Sequence, residues 1–221
     1  MTDRLVEVTT SDTEFEKLVM KAIVDHINSS ISAVGEDIKK KIKPIIFNVI
    51  HDCYEMEALR GFYLRGALGL TSSQAGSSSR DIAEAVSSAV FIDVKRATPR
   101  NLSGALTINI QPDDFSNVLS ISEAVIQYTS DKYKRTVDLP WLDWLLTKGD
   151  TVLVSGFNFQ PNTGEGRSGA GSMVQDLVAD WRIRPEYAGT KQDNFITRAL
   201  SDKNAQSKIS SIVEKSMTKR L

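Results

Sequence analysis

The chain is poor in the side chains that most chemistry needs. It has one cysteine, Cys53, and two histidines, His26 and His51. A lone cysteine forms no internal disulfide and suits a reducing compartment as well as any other. No run approaches ~18 consecutive apolar residues, and the first 17 residues carry acids where a secretory signal needs an apolar stretch, so neither a membrane span nor an export signal is expected. The formal net charge of −1 gives no electrostatic excess for gripping a phosphate backbone, so specific nucleic-acid binding is not expected. The Walker-A, nucleophile-elbow and H-E-x-x-H patterns are missing, and His51 and Cys53 are too close in sequence for an ordinary zinc pair. No catalytic residue, cofactor or metal site is therefore expected.

What is present is pattern. Thr13 and Glu16 have capping-box spacing, and Phe15, Leu18, Val19, Ala22, Ile23, Ile27, Ile31, Val34 and Ile38 recur every three or four residues, which predicts a long amphipathic helix. Pro44 should kink or restart it, giving a second segment from KPIIFNVI. A third helical segment, YEMEALRGFYLRGALGL, leads into TSSQAGSSS, whose small polar composition reads as a flexible linker or exposed loop over 71–79.

After a short helix at RDIAEAVSSAV, alternating and β-branched runs at VFIDVKR, GALTINIQP, NVLSIS and AVIQYT predict a small antiparallel sheet. A two-turn helix follows at PWLDWLL, then strands at TVLVSGF and WRIRP, and helical spacing returns after Asp193. Helices flank strands in sequence without alternating with them, so the expected class is α+β: a small curved antiparallel β-sheet flanked by helices, with a long helical N-terminal region. The expected divisions are 1–80 (helical region with linker), 81–203 (α+β core) and 204–221 (C-terminal helical tail).

Three features invite a functional reading. Gly164, Gly166 and Gly169 match G-x-G-x-x-G, but the motif follows a broken strand and Gly171 extends the loop instead of opening a helix, so a long loop is expected in place of a dinucleotide site. Arg167 in that loop could fork onto a neighbouring carboxylate or be solvated. Trp141 and Trp144 share one helix face, where they could cover the sheet or act as aromatic anchors at a subunit boundary.

The strand-rich middle, PWLDWLL, the Gly/Arg loop and PEYAGTKQDNFITRAL together resemble proteins of the tailed-bacteriophage neck, in particular the tail-completion or head–tail joining family. The resemblance covers roughly residues 85–203. It implies a curved antiparallel sheet with packed helices, a loop between two strands (Gly164 to Gly171) that projects toward neighbouring subunits, and a closing helix begun by Asn194, Phe195 and Arg198. It further implies a homo-oligomeric ring in the virion, made in the host cytoplasm, with other neck, portal-adaptor and tail proteins as partners. The long helical N-terminal half departs from shorter relatives and suggests an added docking surface. A tail terminator or baseplate component, a cellular helical adaptor module, and an enzyme built on His26, His51 or Cys53 are the competing readings.

Overall fold

A computed structural model describes residues 11–112, 114–130, 135–164 and 166–219. Helix α1 runs Asp12–His51, 40 residues and so about 60 Å long. Its cap is Ser11, two residues before the expected Thr13. The Ser11 hydroxyl accepts the Glu14 amide at 3.4 Å, and Asp12 and Glu14 place negative charge at the positive end of the helix dipole. The helix does not restart at Pro44. Pro44 is exposed, so the Lys40 carbonyl left without its usual amide partner can be solvated, while Ile38, Ile42, Ile46 and Ile50 carry one fully buried stripe past it.

Short helices α2 (Tyr54–Arg60) and α3 (Tyr63–Ala67) follow, separated at Gly61. The expected linker at 71–79 is instead the first half of a 17-residue helix, α4 (Ser72–Ser88). Thr71 and Gln74 form a reciprocal capping box that starts it. Its small side chains serve packing: Ala75, Ser78, Ser79 and Ala83 are buried, giving close approach to α1. Arg60 ties three helices together, its Nη1 donating to the His51 carbonyl at 2.6 Å and to Ser79 Oγ at 2.5 Å. One orphan carbonyl at the end of α1 is thereby satisfied.

The class is α+β, with antiparallel strands, but among the described residues they form three separate two-stranded hairpins where a single sheet was expected. These are β1 (Phe91–Lys95) with β2 (Ala105–Asn109), β3 (Ile126–Ser130) with β4 (Arg135–Leu139), and β5 (Val154–Pro161) with β6 (Gly171–Trp181). Isolated hairpins are marginal in water, and the first and third are seen laid on helices. The β1–β2 hairpin rests on α1, where Gly35 leaves room for Ile92 and Leu106, and the Asn28 side-chain amide clamps the backbone of Ala97 from both sides at 2.8 and 3.2 Å. NVLSIS is no strand: it makes helix α5 (Ser116–Leu119) and a 3₁₀ turn at Ser122–Ala124, entered through Phe115 at φ 55° with its side chain buried. WRIRP is no strand beyond Trp181, because the chain turns where the Tyr187 amide donates to the Arg184 carbonyl.

Helix α6 (Trp141–Thr147) precedes β5, and α7 (Phe195–Ser201) and α8 (Lys203–Thr218) close the chain, split at Asp202, whose carboxylate caps α8. One buried apolar cluster draws on α1 from Val34 onward, α2, α3, α4, α6, the β5–β6 hairpin and α7, and residues of α8 pack on its rim.

Candidate functional site

The expected site residues divide into three groups. The first is consumed by the monomer's own core. Trp141 has no exposed surface, and its indole N–H donates to the Glu123 carbonyl at 2.7 Å. Phe195 is equally buried, and Asn194 is the N-cap of α7, its Oδ1 accepting the Ile196 and Thr197 amides while the Thr197 hydroxyl receives the Asn194 amide. Trp141, Asn194 and Phe195, expected at a subunit interface, have no accessible surface in the single chain. A buried indole with its N–H satisfied and a closed capping box are what the core and the helix start require.

The second group converges on the β5–β6 hairpin. Trp144, Gly166, Arg167 and Gly171 line a groove of about 550 Å³ together with Phe157 and Met173. The hairpin is seated on α3: Gly66 lies against Phe159 and Ala170, where an added Cβ would come within 2.7 and 2.9 Å. Tyr63 meets Phe159 edge-on at 5.4 Å, and the Arg184 guanidinium lies 3.5 Å over the Tyr63 ring. Half-buried Trp144 meets Trp181 edge-on at 6.4 Å.

The glycine stretch is thus a turn between antiparallel strands, without the strand–turn–helix geometry that a dinucleotide site needs. Gly166 takes φ 80° under the Gly171 carbonyl, a position closed to any side chain. Gly164 and Gly169 are also left-handed and face open space, whereas Gly171 is already the first residue of β6. The loop is partly anchored. Arg167 Nε donates to the Gly69 carbonyl at 2.9 Å, and Ala170 is fully buried.

The third group is Arg198, the remaining expected residue. On α7 it donates Nη2 and Nε to Glu55 Oε1 of α2 at 2.6 and 3.1 Å, and Nη1 to Asp193 at 3.1 Å. Burial works against its charge, but the bond and the attraction to Glu55, then those to Asp193, outweigh burial and raise its pKa. Arg198 lines a cavity of about 620 Å³ with Cys53, Tyr54, Glu55 and Lys208. Burial, the largest effect there, pushes the Cys53 thiol up to about 11, so it stays protonated at neutral pH and is a poor nucleophile. His51 is held by Asp52 at 2.7 Å and stacks on Phe47. No cluster of three metal-ligating side chains occurs among the described residues, and no helix there is long and apolar enough to cross a membrane.

Two further surfaces are uncovered, and the first of them escaped the sequence reading. In β6, residues 176–179 face a single β5 residue, Gly156 at φ 76°, because Gln175 pairs with Phe157 and Asp180 with Ser155. The resulting bulge holds Leu177 at 83% and Val178 at 97% exposure. Two adjacent apolar residues between aspartates, D-L-V-A-D, break strand alternation and were the available signal. The second surface is the first three turns of α1, where every residue from 12 to 23 is exposed, including Phe15, Leu18, Val19, Met20 and Ile23.

Comparison with protein-family models, with curated proteins and with solved structures returns no match.

Proposed function

We propose that this chain is a structural subunit of a tailed-phage neck, forming a homo-oligomeric ring that completes the tail and joins it to the head. The observation that carries the reading is the uncovered apolar surface at two places on a well-packed chain, the β6 bulge and the start of α1. Large side chains at 83% and 97% exposure are costly to leave in water and are common where another protein is to be met. The segment likeness to the tail-completion family supports the assignment to the neck, and the inter-subunit loop which that resemblance implies at Gly164 to Gly171 is the β5–β6 turn. Of the residues weighed for catalysis, His51 is paired with Asp52 at the end of α1, and burial holds the Cys53 thiol protonated.

The test is electron microscopy of particles from a phage carrying a nonsense mutation in this gene. Filled heads beside separate, complete-looking tails are expected. Tails of abnormal length would move the assignment to a terminator, and normal infectious particles would overturn it in favour of an adaptor or an enzyme.

A further inference from the structure

Between α4 and the 3₁₀ turn at Ser122–Ala124 lies a further cavity of about 380 Å³, which the start of β3 also lines. It shares no lining residue with the groove or the cavity described above. Its volume falls within the ~300–1,000 Å³ common for small-ligand sites. Leu70, Val125 and Ile126 supply its apolar lining, and Val125 is left 39% exposed. Ser78 on α4 also lines it and is only 1% exposed, yet its hydroxyl makes no hydrogen bond among the described residues. Its neighbour Ser79, equally buried, is satisfied by Arg60. Burying a hydroxyl without a partner is unfavourable, and the Ser78 hydroxyl borders a space that a partner can enter.

The remaining polar groups decide what that partner must be. Ser122 donates to Glu123 Oε2 at 2.7 Å, and Ser77 donates to the Ser73 and Gln74 carbonyls at 3.2 and 3.1 Å, so both hydroxyl protons are already spent. Glu123 enters no ion pair among the described residues. What Ser77, Ser122 and Glu123 still offer is lone pairs and one negative charge. No lysine, arginine or histidine is among the lining residues. The cavity therefore asks for a ligand that donates hydrogen bonds and carries positive charge. A metal ion matches poorly, since no cluster of three metal-ligating side chains occurs among the described residues. An ammonium is compact and strongly hydrated, whereas a guanidinium holds five N–H donors in a plane, is weakly hydrated, and forks onto a carboxylate.

We propose that this cavity receives an arginine side chain, its guanidinium pairing with the Glu123 carboxylate and giving the Ser78 hydroxyl the partner it lacks. The methylene stem loses water against Leu70, Val125 and Ile126. Gln74, whose side-chain oxygen is held by Thr71 in the cap of α4, keeps its amide N–H groups for the carbonyl of the residue that brings the arginine. That arginine arrives on a protein partner or as the free amino acid, with the same chemistry at the guanidinium. The inference goes beyond the neck reading and stands without it.

The experiment titrates the full chain by calorimetry with N-acetylarginine N-methylamide, its citrulline counterpart, its lysine counterpart and free L-arginine. Saturable binding of the blocked arginine is expected, with the neutral citrulline compound weaker by about tenfold or more, because it keeps the shape and loses the charge. Blocked arginine binding tighter than free arginine assigns the site to a protein-borne side chain, and the reverse order assigns it to the free amino acid. Glu123→Gln, which keeps an acceptor for Ser122, should weaken blocked arginine about tenfold or more. Ser78→Ala should weaken it about threefold to tenfold while leaving the urea midpoint of the free chain unchanged or higher, because it deletes a buried hydroxyl that bonds to nothing there. A lowered midpoint in Ser78→Ala would mean that the hydroxyl serves the fold and would overturn its part in the site. Equal binding of arginine and citrulline, preference for lysine, no binding by about 10 mM, or indifference to both substitutions would overturn the proposal.

Discussion

Arg198 is an expected interface residue that stays partly exposed, yet its removal should be felt mainly as lost stability of the monomer. Glu55 is only 5% exposed, and its Oε1 takes two N–H groups from Arg198. Changing Arg198 to Met keeps most of the stem and deletes the cation, leaving a buried carboxylate facing an apolar chain. Removing one partner of a fully buried pair costs about 3–5 kcal/mol. Here the guanidinium is 35% exposed and the adjoining cavity opens to solvent, so water can reach part of the orphaned group, and about 2–3 kcal/mol is expected. Converting both residues to Met removes the stranded charge and should recover most of that loss, a coupling of about 2 kcal/mol.

Urea unfolding followed by tryptophan fluorescence reads this directly, since buried Trp141 reports on the core. With a slope of about 3 kcal/mol per molar, at the upper end for a small protein, Arg198→Met should lower the midpoint by about 0.7–1 M. The double variant should return to within about 0.3 M of the parent. A single variant with an unchanged midpoint, or a double variant no better than the single, would refute the picture of a buried carboxylate satisfied by Arg198.

Gly66→Ala would push a methyl group into Phe159 and Ala170 and should lower stability by about 1–3 kcal/mol, partly recovered by Phe159→Leu; equal midpoints for Gly66→Ala and the parent would mean that the hairpin is not seated on α3 as described. Alkaline pH should destabilise the chain. Burial raises Cys53 from 9.0 to about 11, and the hydrogen bond with Tyr54, then burial, raises Tyr187 from 10.0 to about 12. The unfolded chain loses these protons first, so their contribution is complete below about pH 9 and is lost as pH rises toward 12. Unfolding midpoints measured from pH 8 upward should hold and then fall, with the early part of the fall reduced in Cys53→Ala; a rise with pH would contradict both shifts.

Much of the helical content was legible because one stripe dominates it. Ile38, Ile42, Ile46 and Ile50 repeat every four residues and are fully buried, so periodicity reports α1 without any knowledge of its partner. The partner itself was illegible for the same physical reason. Helix α4 offers α1 alanines and serines, whose value lies in being small, and a serine-rich stretch looks like a linker until Thr71 and Gln74 are seen closing its first turn. Alternation likewise announces strands without saying which ones pair. Phe91–Lys95 and Ala105–Asn109 pair locally and then rest on α1, so the pattern that suggested a shared sheet was already satisfied by a helix beneath. Trp141 and Trp144 lie three positions apart on one helix, yet one is sealed with a backbone acceptor and the other is left half-covered in a groove, a difference of tertiary surroundings that spacing cannot carry.

The overhang at the start of α1 has a physical explanation that bears on its use. A detached helix of twelve residues is marginal in water, because nucleation is unfavourable and few hydrogen bonds follow. Residues 12–23 avoid that cost by continuing a helix already nucleated and buried from Val34 onward, and Ser11, Asp12 and Glu14 stabilise the free end. The segment therefore needs no tertiary contact of its own to remain helical, and among the described residues its apolar side chains have no intramolecular surface to collapse upon. The β6 bulge is displayed by the same logic at the other reach: the paired strands on both sides of Gly156 fix where it projects, and the Asp176 carboxylate holds its backbone. Both surfaces are preorganised before any partner arrives, so a partner that meets either would lose little conformational entropy.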